Sequence, residues 1–409
     1  MNSIAFPRRQ SMLHALKALA PVVGVVFMAF FVIGMALPVL PLHVHDTLGM
    51  SAFVVGLVAG SQFAAALASR LWAGRITDTR DPKQAVLWGL CAAVAGGACY
   101  VLSLRFVQAP GLSVGILLVG RTLVGGAESL IITGSMLWAL GRVAAERSAQ
   151  VIAWVGMAMF AAIAIGAPIG SWVYGQFGFL GIALASAAVP LLSLAWVLPI
   201  PALAPVASAR VPMATVLGAV LLPGIGFALS GITFGAVTVF LTLHFSVQGW
   251  AHGALAFTTF AVALIALRIV AGHLPDKFGG ARVALCCLAI QALGLALIGL
   301  ATTGWVAILG AAIAGAGFSL VFPGLGLEVV QRVPPASRGM AMGIYNASLD
   351  LTLGLGSPLL GLLAARAGIA SVFEASAVAA LLAIPVALRL MAWPARAAFS
   401  KHSGDRHGI

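Results

Sequence analysis

The chain has 409 residues, of which 62% are hydrophobic and 8% are charged. Soluble domains carry about 25% charged residues, so a water-exposed surface is excluded and the lipid bilayer must be the main solvent. The net charge of +12 does not indicate a nucleic-acid partner, because the basic residues lie in short clusters between apolar runs, the pattern that orients membrane proteins.

The apolar runs are continuous and about twenty residues long, the length that a helix needs to cross a bilayer. Strands of a membrane barrel would alternate in polarity instead. We therefore predict an all-α integral membrane protein with twelve spans, at roughly 18–40, 52–70, 85–104, 113–138, 148–172, 179–199, 214–243, 251–270, 283–302, 304–328, 339–364 and 369–393.

Lysine and arginine fall almost entirely on one side of this arrangement. Nineteen of the 22 lie in segments on the side of the N-terminus, and two lie on the other, which predicts a bacterial inner-membrane protein with both termini cytoplasmic. The predicted units are a cytoplasmic N-terminus (1–17), an N-terminal six-helix bundle (18–199), a Pro/Ala-rich cytoplasmic linker (200–213), a C-terminal six-helix bundle (214–393) and a basic cytoplasmic tail (394–409).

Internal repeats support two similar halves. Three segments recur in the same order with offsets of 198, 201 and 190 residues: Arg70–Asp78 at Arg268–Asp276, Leu40–His43 at Leu241–His244, and Gly166–Pro168 at Gly356–Pro358. Two like halves around a central site are the construction of many secondary transporters.

Three ionisable residues lie deep in predicted spans, namely Arg121, Glu128 and Asp350. Each costs roughly 2.5–3.5 kcal/mol at the bilayer centre, so such residues are functional candidates by default. Arg121 and Glu128 are seven residues apart and share one helix face, about 10 Å apart along the axis. One interpretation is a proton-coupling site centred on Glu128, and the alternative is a structural ion pair.

Asp350 belongs to a polar stretch with Tyr345 and Asn346. This stretch is a candidate for substrate or proton contact, and hydrogen-bonded packing is the alternative. Gln62 in the second span is a further polar candidate. The three deep charges sum to −1, which favours a cationic or neutral cargo.

The segment Gly74-Arg-Ile-Thr-Asp78-Thr-Arg80-Asp81-Pro82-Lys83, and its better-matching repeat from Gly272 to Arg282, resemble the G-x-x-x-D-(R/K)-x-G-(R/K)-(R/K) loop of the major facilitator superfamily. The first copy departs from the pattern at Asp81 and Pro82. The resemblance implies alternating access, with Asp78 capping helix 11 and Asp276 capping helix 5 to close a cytoplasmic gate. Ordinary loop charges that set topology are the alternative. The gate candidates are Gly74, Asp78, Arg80, Lys83, Gly272, Asp276, Lys277, Gly279 and Arg282.

Two further strings resemble parts of this superfamily. Gly166-Ala-Pro168-Ile-Gly170, with Gly156 ten residues earlier in the same span, looks like a degenerate form of its helix-5 antiporter motif. The string Gly120–Trp138 is similar to the YhhS-type branch of efflux-like bacterial carriers. These resemblances imply proton-coupled efflux of a small organic molecule; a proton-coupled importer of a sugar or metabolite is the alternative, and a non-transport sensor or enzyme is a weaker one.

No ATP-binding or metalloenzyme motif occurs in the sequence. We therefore expect no catalytic residues, no metal and no cofactor, with the proton gradient as the energy source. The expected partners are the lipid bilayer and a small-molecule substrate, with no nucleic acid, and the expected state is a monomer.

Overall fold

The computed structural model describes residues 12–79, 81–142, 148–202, 213–334 and 337–392, and these residues contain helices and no strand. Most of the predicted linker and the predicted tail lie outside this part of the chain. The helices are α1 Met12–Ala36, α2 Ala52–Thr79, α3 Pro82–Ser103, α4 Pro110–Leu140, α5 and α6 (the two arms of Ser148–Val197), α7 Met213–Val247, α8 Gly253–Ala271, α9 Gly280–Gly299, α10 (Gly304–Ser319 and, after a break at Leu320, Val321–Gln331), α11 Arg338–Ala367 and α12 Ala370–Ala392.

Eleven helical segments among the described residues are long and apolar enough to cross a membrane. One of them, Trp154–Val197, has 44 residues, about 66 Å of helix and twice the bilayer core. Its backbone leaves helical geometry at Gly178, where φ is +61°, a conformation that glycine adopts at little cost. Gly178 therefore divides this segment into α5 and α6, which gives the twelve predicted crossings.

Close glycine contacts repeat between the two halves with the offsets found in the sequence. Gly96 of α3 lies against the Gly120 carbonyl of α4, and Gly294 of α9 lies against the Gly310 carbonyl of α10. The two halves are thus built on one packing plan. We call the end of the bundles that holds Met12 and Ala392 the terminal end, and the opposite end the His43 end.

One interface between the two halves is formed by α2 and α11, which run antiparallel and nearly touch. A Cβ atom on Gly56 would collide with the Ser357 carbonyl, and one on Gly361 would collide with Ala52. At the His43 end, the Thr242 hydroxyl of α7 donates to the Pro38 carbonyl at 2.9 Å. The two halves are therefore in direct contact toward the His43 end.

The other interface, between α5 and α8, is looser and aromatic. An apolar cavity of about 20 Å³ lies there, lined by residues that include Phe160, Phe234, Phe257 and Phe260. Phe160 of α5 also packs on Phe322 of α10, with ring centroids 5.6 Å apart. The two pseudo-equivalent interfaces therefore differ in chemistry.

The apolar segment of the second span is Ala52–Arg70, as predicted, but its helix α2 continues beyond it to Thr79. Gly74 and Asp78 consequently lie on the last turns of a helix and not in a loop. Arg70, the last residue of the predicted span, lies about 13 Å before the end of this helix.

Candidate functional site

An ion pair joins the two halves through α2 and α11. The Nε atom of Arg70 donates to Oδ2 of Asp350 at 2.7 Å, and a second guanidinium nitrogen contacts the same oxygen. The two side chains are 18% and 7% exposed, so both charges are largely withdrawn from solvent. Asp350 is thus held by an arginine from the other bundle.

Glu128 of α4 is buried beside this pair. Its Oε2 atom accepts a hydrogen bond from the Gln62 amide of α2 at 2.9 Å, and the charges of Asp350, Arg70 and Arg121 act on it. Gln62 and Arg70 are eight residues apart on α2, about two helical turns, so this helix contacts both acids. The oxygen of the Gln62 amide has no hydrogen-bond partner among the described residues and is free to accept one.

Arg121 lies in the same half but bonds elsewhere. Its Nε donates to the Val58 carbonyl at 3.3 Å, and a terminal nitrogen donates to the Ala59 carbonyl at 3.1 Å. Among the described residues no hydrogen bond or ion pair joins Arg121 to Glu128. Arg121 ties α4 to the backbone of α2, and Glu128 has a neutral amide as its direct partner.

The polar stretch before Asp350 divides into two environments. Tyr345 is fully buried, stacks on Phe227 with centroids 4.7 Å apart, and donates to the Phe322 carbonyl at 3.1 Å. It is therefore part of the aromatic packing of the C-terminal half. Asn346 is half-buried one turn from Asp350.

Arg268 occupies the position in α8 that Arg70 occupies in α2, at the offset of 198. Its guanidinium carbon lies over the Phe160 ring, 4.5 Å from the centroid, and Phe160 precedes Asp350 by the offset of 190 seen for helices 5 and 11. Arg268 also donates to the Ser319 carbonyl at 2.7 Å. The two interfaces thus carry matching arginines, one on a carboxylate and one on an aromatic ring.

The helix-5 motif packs inside the N-terminal half. Gly166 lies against the Phe31 carbonyl and Gly170 against the Met35 carbonyl, both in α1, with Pro168 between them. A Cβ atom on Gly156 would meet nothing within 4 Å. Close approach therefore explains Gly166 and Gly170 but not Gly156.

Lys83 of the gate motif contacts residues of the N-terminal half, to which it belongs. Its Nζ atom donates to the carbonyls of Leu198 and Ile200 at 2.8 and 2.6 Å, at the carboxyl end of α6, where a cation is favoured. Arg80 lies outside the described residues, and for Gly74 and Asp78 the structure describes only the helical backbone.

In the second copy of the motif, Asp276 and Lys277 lie on a short helix, Leu274–Phe278. Asp276 is exposed. Gly279 has φ of +93°, a value that favours glycine, and lets the chain turn into α9. Gly272 and Arg282 flank this turn. The two predicted helix caps stay predictions.

Glu328 of α10 was not singled out by sequence reasoning, because it lies near a helix end. Its Oε1 atom accepts the Ala281 amide hydrogen at 2.9 Å, and its Oε2 atom pairs with Arg332. It therefore stabilises the amino-terminal end of α9. Only its spacing of four residues from Arg332 could have indicated the pair.

Comparisons with known proteins agree with this architecture. The family model described as Major Facilitator Superfamily matches residues 22–257 and 225–407. An uncharacterized MFS-type transporter of Burkholderia mallei (strain SAVP1) is 40% identical over 384 residues, 93% of each chain. One of Salmonella typhimurium (strain LT2) is 39% identical over 360 residues, 88% of this chain and 93% of the relative. The crystal structure of a D-xylose-proton symporter has the same fold, with a TM-score of 0.74 at 15% identity, over 91% of this chain and 97% of that one.

Twelve apolar crossings in two matching halves, with ionised side chains at their interface, define a multi-pass membrane transporter. The chain belongs to the Major Facilitator Superfamily.

Proposed function

We propose that this transporter exports a small organic molecule across the bacterial inner membrane in exchange for protons, with both termini cytoplasmic. The observation that carries the proposal is the pair of carboxyls, Glu128 and Asp350, that α2 contacts through Gln62 and Arg70. One carboxyl lies in each half, and both can take up a proton.

Arg70 provides the link between protonation and movement. It forms an ion pair with Asp350 across the interface, and its charge also acts on Glu128. Protonation of Asp350 removes the negative charge that holds Arg70. Protonation of Glu128 instead leaves the Asp350 carboxylate as the only acid of the two that can still pair with Arg70. The protonation state of the two acids thus sets how strongly the halves are held together at this point.

Export rather than import is supported by the resemblance of Gly166–Gly170 to an antiporter motif, and by the close packing of both glycines on α1. The YhhS-type branch stays part of this proposal.

Everted membrane vesicles test the proposal, with cargo compounds first selected by thermal shift of the purified protein. An exporter accumulates such a compound in everted vesicles when their interior is acidified. Glu128→Gln should bind the compound but lose gradient-driven accumulation, whereas the exposed acid Glu374 can be changed to Gln without effect. Full accumulation by Glu128→Gln would exclude Glu128 as the coupling residue, and uptake only in right-side-out vesicles would show an importer.

A further inference from the structure

We infer that Arg268 binds the anionic group of the cargo, so that the transported molecule is an organic anion with an apolar, ring-sized body. The inference rests on the proposed transport function and assigns its substrate class.

The two matching arginines, Arg70 and Arg268, differ in what they contact. Arg70 is neutralised by Asp350, and the remaining ion pair of the described residues joins Arg332 to Glu328. Arg268 has an aromatic ring where the other interface has a carboxylate. Arg268 is half-buried. A guanidinium without a counter-ion is costly inside a membrane protein, and such a residue faces a pathway or a partner.

The hydrogen-bonding state of Arg268 leaves room for a ligand. One terminal nitrogen donates to the Ser319 carbonyl, but the buried Nε atom has no partner among the described residues. A guanidinium binds a carboxylate through two parallel hydrogen bonds. The unpartnered Nε donor of Arg268 is available to such a group.

The apolar body of the cargo has a matching surface beside Arg268. The cavity between α5 and α8 is lined by Phe160, Phe234, Phe257 and Phe260, and by Leu264 one turn before Arg268. Its volume of about 20 Å³ holds about one water molecule. A ring therefore enters when α5 and α8 separate, as alternating access requires at this interface.

The charge balance of the interior points the same way. The sum of −1 predicted for the deep charges leaves out Arg70 and Arg268, because both lie at the cytoplasmic ends of their predicted spans. The structure places both at the interface between the halves, which adds two positive charges to Arg121, Glu128 and Asp350 and makes the sum +1. An anionic cargo completes this balance, and a cationic one does not.

An anionic lipid headgroup shares this chemistry, so the experiment must separate the two sources. Purified full-length protein in phosphatidylcholine nanodiscs is titrated by calorimetry with 2-naphthoate and with 2-naphthylmethanol, which has the same ring without the charge. We expect naphthoate to bind, and Arg268→Gln to weaken it by about tenfold or more, with Arg268→Lys intermediate and the exposed-arginine control Arg389→Gln unchanged.

Phe160→Asp gives an independent test, because it supplies the counter-ion that the other interface has. It should abolish naphthoate binding, whereas Phe160→Leu should keep it. This test works even if Arg268→Gln does not fold.

Naphthoate that binds no better than naphthylmethanol, or equally well to Arg268→Gln, overturns the inference. Arg268-dependent displacement of naphthoate by phosphatidylglycerol nanodiscs, without naphthoate transport, assigns the site to lipid and also overturns it. If Glu128→Gln binds naphthoate normally and still accumulates it in response to the proton gradient, the proposed antiport mechanism is contradicted and the assignment of Arg268 is not.

Discussion

The guanidinium of Arg70 and the carboxylate of Asp350 form an ion pair between residues 280 positions apart, one in each half of the transporter. Because α2 and α11 nearly touch from Ala52 to Gly60, this pair extends their contact toward the terminal end. Separation of the halves along α2 and α11 must therefore break it.

Asp350→Asn should destabilise the protein markedly, since it leaves the Arg70 charge without its counter-ion. Removing one partner of a buried pair costs about 3–5 kcal/mol. The double variant Arg70→Met/Asp350→Asn should recover most of this loss. Unfolding in a denaturing-detergent titration is measured for the parent, Asp350→Asn, Arg70→Met and the double variant, and additive losses would show that the two side chains do not interact.

Gly170→Ala should lower the free energy of unfolding by about 1–3 kcal/mol, the usual range for overpacking. The new methyl group collides with the backbone of α1 at Met35, which cannot move aside as a side chain can. Gly156→Ala is the matched control on the same helix, with open space around the added Cβ. Equal stabilities of the two variants would contradict the close packing of α5 on α1.

The number of crossings and the two-half plan could be predicted from the sequence, because hydropathy, basic clusters and repeat offsets are all local or periodic signals. The burial of Glu128 and Asp350 was also predictable, since a carboxyl in a long apolar run has no other place. The partners of these two acids were not predictable, because they depend on which helices pack together, and the distance along the sequence does not show that.

The end of α2 shows the same limit. Hydropathy falls after Arg70, where the apolar segment ends, but the helix continues for nine more residues, which include Arg75, Thr77, Asp78 and Thr79. Hydrogen bonding within the backbone does not depend on side-chain polarity, so hydropathy located the membrane boundary and not the helix end. The pairing of Arg70 with Asp350 was not predicted, because it depends on α11 lying against this end of α2.

Lys83→Met tests whether this residue belongs to the gate or to its own half. Its two bonds to carbonyls at the end of α6 are partly exposed, so we expect a loss of about 1 kcal/mol in stability and no change in the inward/outward balance. Labelling of a cysteine at Asn346 by an impermeant maleimide, in a background without the four native cysteines, reports that balance. A changed labelling rate with unchanged stability would support the gate assignment instead, and Arg389→Gln is the control.

Glu328→Gln should cost about 3 kcal/mol or more in the free energy of unfolding. The substitution keeps the size of the side chain and an acceptor for the Ala281 amide hydrogen, but it removes the charge that pairs with Arg332. Both side chains are nearly buried, at 10% and 8% exposed, so solvent does not replace the lost partner. Glu374→Gln changes an exposed acid on α12 and should stay within about 0.5 kcal/mol of the parent protein. If the two substitutions have the same effect, Glu328 does not stabilise the junction between α9 and α10, and the buried pair is not a structural contact of the C-terminal half.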